Sequence, residues 1–121
     1  MDSLRILYVD DDPNLRGLIK NELEAVGHSV DEAEDGMDAV ERLGKGKYDL
    51  MLLDINMPRK SGIDVLKFIK DNQLGCKVIM LTGRVGFSVA TETLKLGADD
   101  YVTKPFTVEY LLFSIARVMG K

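Results

Sequence analysis

Cysteine and histidine are nearly absent: the 121 residues contain one of each, Cys76 and His28. A single thiol excludes an internal disulfide, and beside the apolar segment 77–82 it is expected to be a small packing residue, not a nucleophile. His28 is read the same way. No apolar run approaches the roughly 18 residues of a membrane span, and the N-terminus lacks the basic-then-apolar layout of a signal peptide. The expectation is a cytoplasmic protein that makes no use of a membrane. Dense basic runs are missing too. With 16 Lys and Arg against 20 Asp and Glu, the net charge is −4, so no direct nucleic-acid binding driven by counterion release is expected. Gly44-Lys45-Gly46-Lys47 lacks the spacing and the following Ser/Thr of a nucleotide loop and reads as a solvated turn. Linkers, repeats and low-complexity segments are also absent, which predicts one domain over 1–121.

Apolar residues make up 45% of the chain and charged residues 30%, the balance of a globular protein. Leu4–Val9, Leu50–Leu53 and Val78–Leu81 are continuous apolar runs, as in parallel strands buried on both faces. The segments between them have helical spacing. Weaker signals place strands at Ser29–Ala33 and Tyr101–Thr103, and helices at Met37–Leu43, Ile63–Asn72, Phe87–Leu96 and Val108–Met119. The first helix should begin after Asp12, an N-cap, with Pro13 in the first helical position. Its expected apolar stripe is Leu15, Leu18, Ile19, Leu23 and Val26, ended by Gly27. Five such units predict a doubly wound α/β fold: a five-stranded parallel sheet with right-handed connections and helices on both faces.

Every polar cluster follows the C-terminal end of a strand: Asp10-Asp11-Asp12, Asp54, Thr82-Gly83, and Lys104-Pro105. Ligands of open parallel sheets bind along that edge, so these segments are expected to converge. Asp12 is accounted for as a cap. Asp10, Asp11 and Asp54 are not, because three adjacent carboxylates repel one another unless a cation neutralises them, and hard oxygen donors suit Mg²⁺. Three ionised aspartates, one Mg²⁺ and the Lys104 ammonium together are neutral. Asp54 stands alone after a buried strand and is the best nucleophile, whereas Asp10 and Asp11 are placed to hold the cation. Phosphoryl transfer needs this combination of positioning and charge stabilisation. Thr82, Lys104 and the backbone N–H of Gly83 would face the transferred oxygens.

Val9-Asp10-Asp11, Leu53-Asp54-Ile55-Asn56-Met57-Pro58, Gly62, Thr82, Gly97-Ala98 and Lys104-Pro105-Phe106, in this order and spacing, resemble the receiver domains of two-component response regulators. The match runs from about Arg5 to Met119. The resemblance implies a flavodoxin-like strand order, 2-1-3-4-5. It also implies that Asp54 accepts a phosphoryl group from a histidine kinase or a phosphotransfer protein. Asp11, Asp54 and the backbone carbonyl of Asn56 would bind Mg²⁺, Asp10 would assist from behind, and Lys104 would pair with the phosphoryl group. Pro105 would follow a cis bond, Pro58 would shape its loop, and Thr82 and Tyr101 would form the switch. Beyond its own phosphoryl transfer and slow autodephosphorylation, no enzymatic activity is implied.

The last helix should bury Val108, Leu111, Leu112, Ile115 and Met119, which turns Tyr110 and Phe113 outward. In the fourth helix Val89 and Leu96 are expected off the side defined by Ala90, Leu94 and Gly97. Together these residues suggest an output surface of helix four, strand five and helix five for an unnamed effector or a second copy of the chain. Two other readings share some of the chemistry. A Mg²⁺-dependent phosphohydrolase with an aspartyl nucleophile usually carries an acid two residues further on, where this chain has Asn56. A scaffold that is never phosphorylated would not need the acceptor, metal and lysine positions that are all present here.

Overall fold

The computed structural model describes residues 3–55, 61–83 and 87–120, the side chains of 87–90 excepted. Its elements alternate strictly: β1 Arg5–Val9, α1 Pro13–Ala25, β2 Ser29–Ala33, α2 Gly36–Lys45, β3 Leu50–Asp54, α3 Gly62–Asp71, β4 Lys77–Thr82, α4 Phe87–Lys95, β5 Asp100–Thr103 and α5 Val108–Val118. The five strands are parallel in the order β2-β1-β3-β4-β5. This is the expected fold, and most element ends fall within a residue or two of those read from sequence.

Strand alternation divides the core between the two sheet faces. Leu7, Val9, Met51, Leu53, Val78 and Met80 pack with Ala39 of α2 and Val65, Leu66 and Ile69 of α3. On the other face Ile6, Tyr8, Leu50, Leu52, Ile79, Leu81 and Val102 pack with Ile19 and Leu23 of α1 and Leu111 and Ile115 of α5. Cys76 is buried in the first cluster. Burial, and secondarily the nearby Asp49 and Asp99 charges, push its thiol up to about 12, which keeps it protonated and inert. His28 is buried where α1 turns into β2, its Nδ1 accepting the Leu4 N–H at 3.1 Å.

Three expectations about helix faces and ends need correction. In α1 only Ile19 and Leu23 are buried, while Leu18 and Val26 are 55% and 54% exposed. At 100° per residue Leu18 points about 120° away from the Ile19–Leu23 direction. Val26 is the C-cap and has left the helical path before Gly27 turns at φ +101°. In α4 the sides are reversed: Thr93 is buried and Leu96 packs on the core, while Leu94 is exposed. Gly44 and Lys45 belong to the last turn of α2, which closes at Gly46, not to a solvated turn. Tyr110 and Phe113 are exposed as expected, 48% and 59%, with ring centroids 6.3 Å apart.

Candidate functional site

The three acids expected to meet do so at the C-terminal edge of β1 and β3. Asp10 follows β1 on the face that carries Ile6 and Tyr8, and Asp54 closes β3 on the face that carries Leu50 and Leu52. Asp10, Asp11 and Asp54 each offer a carboxylate oxygen, and these lie within 4.8 Å of one another. Asp10 and Asp54 are buried, 0% and 6% exposed, while Asp11 is open to solvent. A set of hard oxygens with one solvent-facing member fits a small divalent cation that keeps some of its water. Asn56 and Pro58 lie outside the described residues.

Among the described residues Lys104 brings a cation to the two buried acids. Its Nζ donates to Asp10 Oδ2 at 2.8 Å and stands 3.6 Å from Asp54 Oδ2. Burial disfavours the charged ammonium, but the hydrogen bond and charge of Asp10, with those of Asp54, outweigh it and leave the Lys104 pKa raised. The Lys104–Pro105 bond is cis, and the Lys104 N–H donates to the Thr82 carbonyl at 2.6 Å, tying this turn to the end of β4.

Thr82 and Tyr101 lie on the α3/α4 face. The register pairs Met80 with Tyr101 and Thr82 with Thr103, so Thr82 and Tyr101 are diagonal neighbours on adjacent strands. Thr82 is 1% exposed, and among the described residues its Oγ1 has no hydrogen-bond partner. Tyr101 is half-buried against the core. Gly83 follows β4, and among the described residues nothing lies within 4 Å of where a Cβ would stand. Gly62 opens α3 directly against the acceptor strand: a Cβ there would lie 2.3 Å from the Asp54 carbonyl oxygen. The Val89 side chain lies outside the described residues.

Two residues at the site escaped the sequence reading. Tyr8 was counted only as part of an apolar run, yet its buried hydroxyl lies under the acids. Burial, then the Asp10 and Asp54 charges, hold that phenol well above its ordinary pKa, so it stays protonated. Arg16 donates through Nη1 to the Asp10 carbonyl at 2.6 Å and through Nε to Glu32 Oε1 at 3.0 Å. A signal existed: a cation in the first turn of a helix opposes the helix dipole and needs a compensating partner.

A family model described as response regulator receiver domain matches residues 6–116. The chain is 42% identical over 112 residues to the transcriptional regulatory protein DltR of Streptococcus agalactiae, covering 93% of this chain and 50% of DltR. It is 33% identical over 118 residues to PhoP of Escherichia coli K12, covering 98% and 53%. It thus spans about half the length of these curated relatives. Among solved structures, the chemotaxis response regulator CheY4 of Vibrio cholerae superposes with a TM-score of 0.90 at 28% identity, over 97% of this chain and 99% of CheY4. The receiver domain of DrrB, in a BeF3-activated form, gives 0.88 at 30%, over 99% and 100%. The chain belongs to the response regulator receiver family. Among the described residues no helix is long and apolar enough to cross a membrane.

Proposed function

We propose that the chain is one receiver domain over residues 1–121, a cytoplasmic switch in which Asp54 takes a phosphoryl group from a histidine kinase or a phosphotransfer protein in a Mg²⁺-dependent reaction. The observation that carries this reading is the convergence of Asp10, Asp11 and Asp54 within 4.8 Å, with Lys104 reaching both buried acids. An Asp54 carboxylate oxygen attacks the phosphorus of the donor, the phosphorus–nitrogen bond of the phosphohistidine breaks, and the nitrogen keeps the electron pair and takes a proton. The product is an acyl phosphate. Asp11, Asp54 and the Asn56 carbonyl would hold Mg²⁺, with Asp10 behind them, and the ion would neutralise charge on the transferring oxygens.

Lys104, the Thr82 hydroxyl and the Gly83 N–H then serve the phosphoryl oxygens. The Thr82 hydroxyl, without a partner among the described residues, gains an acceptor in the phosphorylated form, so phosphorylation favours the arrangement that brings Thr82 to the phosphoryl group. Tyr101, its diagonal neighbour, follows and alters the surface of α4, β5 and α5, where Tyr110 and Phe113 are exposed. That surface signals to an effector or a second copy of the chain. DltR and PhoP are transcriptional regulators about twice this length, so an attached output domain is the natural effector. The domain has no catalytic role beyond its own phosphorylation and slow autodephosphorylation.

Incubation with acetyl phosphate and Mg²⁺, read by intact mass, tests the assignment. A phosphoryl adduct is expected on the wild-type chain and not on Asp54→Asn. No adduct from acetyl phosphate or from a cognate kinase overturns it.

A further inference from the structure

We propose that Arg16 is a positioning residue for the acidic cluster, setting the Mg²⁺ affinity of the site by fixing the peptide unit that carries Asp11. The inference rests on reading the cluster as a Mg²⁺ site. Asp10 itself is held from several sides: its N–H donates to the Ala33 carbonyl at 3.1 Å, its Oδ1 accepts the Asp12 N–H at 2.9 Å, and its Oδ2 accepts from Lys104 at 2.8 Å. Asp12 is held as the N-cap of α1 by the Asn14 and Leu15 N–H groups. Between them Asp11 is exposed, and among the described residues its carboxylate takes no hydrogen bond.

What aims Asp11 is therefore its backbone. The Asp10 carbonyl belongs to the planar peptide unit that leads into Asp11, so fixing the direction of that carbonyl fixes the plane from which the Asp11 side chain departs. Arg16 Nη1 holds the carbonyl at 2.6 Å, and Arg16 Nε is anchored at 3.0 Å to Glu32 on β2. Lys20 Nζ lies 3.7 Å from the second Glu32 oxygen, and the Arg16 side chain is only 16% exposed. The guanidinium is a rigid fork that can serve both acceptors at once. It links the end of β1 to β2 across the start of α1.

Charge and geometry predict opposite signs when Arg16 is removed. A cation beside the cluster repels Mg²⁺, so losing only the charge tightens metal binding. Losing the brace lets the Asp10–Asp11 peptide rotate and weakens it; outer hydrogen bonds of this kind typically set metal affinity by 10- to 100-fold. Mg²⁺ titration by calorimetry on the wild-type chain, Arg16→Met, Arg16→Lys and Asp54→Asn separates the two. Arg16→Met is expected to bind roughly tenfold more weakly than wild type. Arg16→Lys, which keeps the charge but not the fork, should weaken binding as well, and it carries the test if Arg16→Met does not fold. If Arg16→Met or Arg16→Lys binds as tightly as wild type while Asp54→Asn has lost the metal, the brace is overturned and the site reading stands. A wild-type chain that takes no Mg²⁺ overturns both.

Discussion

Lys104 and Asp10, 94 residues apart in sequence, form the tightest ion pair of the acidic edge among the described residues, at 2.8 Å. The same ammonium is 3.6 Å from Asp54. The resting lysine therefore sits closer to the inner acid, and with three donors it can turn one toward a phosphoryl group on Asp54 without giving up Asp10.

Replacing Lys104 with Met leaves Asp10 buried with its main counter-charge gone and three carboxylates facing one another. Loss of the pair is expected to cost about 1–3 kcal/mol in metal-free solution. Because the site is then more negative, Mg²⁺ should restore much of that loss. Urea unfolding of wild type and Lys104→Met, with and without Mg²⁺, measures the difference. Equal Mg²⁺ stabilisation of the two proteins would contradict this account of the site charge.

Thr82 presents the opposite case, a group whose resting state is unfavourable. Its buried hydroxyl lacks a partner among the described residues, and Thr82→Val removes that hydroxyl while preserving the shape. The unphosphorylated protein should become more stable by about 1 kcal/mol. The phosphorylation-dependent change should shrink, visible as loss of the Tyr101 NMR shifts on adding a beryllofluoride mimic. A destabilised Thr82→Val, or an undiminished Tyr101 response, would remove Thr82 from the relay.

The strands and the meeting of the acids were legible because their signals are local. Val78–Leu81 is unbroken apolar sequence, and Asp12-Pro13 marks a helix start that the structure repeats, Asp12 Oδ1 accepting from Asn14 and Leu15. Helix phase was harder. Leu18 and Leu94 look like core residues by type, but a helix buries a direction, and that direction is set by what it packs on; Ile19 with Leu23, and Thr93 with Leu96, face the sheet instead. For Arg16 its place in the first turn of α1 was a signal, but which partners it takes, a main-chain carbonyl and a glutamate on another strand, leaves no mark in residue type.

Gly62 tests how closely α3 must approach the acceptor strand. A Cβ there would lie 2.3 Å from the Asp54 carbonyl oxygen and 2.9 Å from Ile55 Cα, both rigid backbone atoms. Gly62→Ala is expected to destabilise the fold by about 1–3 kcal/mol and to slow phosphorylation of Asp54 by moving its strand end. Gly83→Ala meets nothing within 4 Å among the described residues and should change stability by no more than about 0.5 kcal/mol. Denaturation midpoints of the two variants, measured side by side, check the contrast.

His28 makes stability depend on pH through a pair unrelated to the phosphoacceptor. Its Nδ1 accepts the Leu4 N–H, so the neutral ring carries its proton on Nε2, which has no partner among the described residues. Burial, with a smaller contribution from the positive N-terminus, lowers its pKa below the ordinary 6.5. Between that lowered value and 6.5 the unfolded chain binds more protons than the folded one, so stability rises with pH across this window. The contribution is complete above pH 6.5 and is lost as the pH falls through the folded pKa, because charging the ring costs the Leu4 hydrogen bond. Thermal melts between pH 7.5 and 5 should fall more steeply for the wild type than for His28→Leu, which lacks the titrating group although it starts from a lower midpoint. Parallel slopes for the two proteins would show that His28 does not titrate with unfolding.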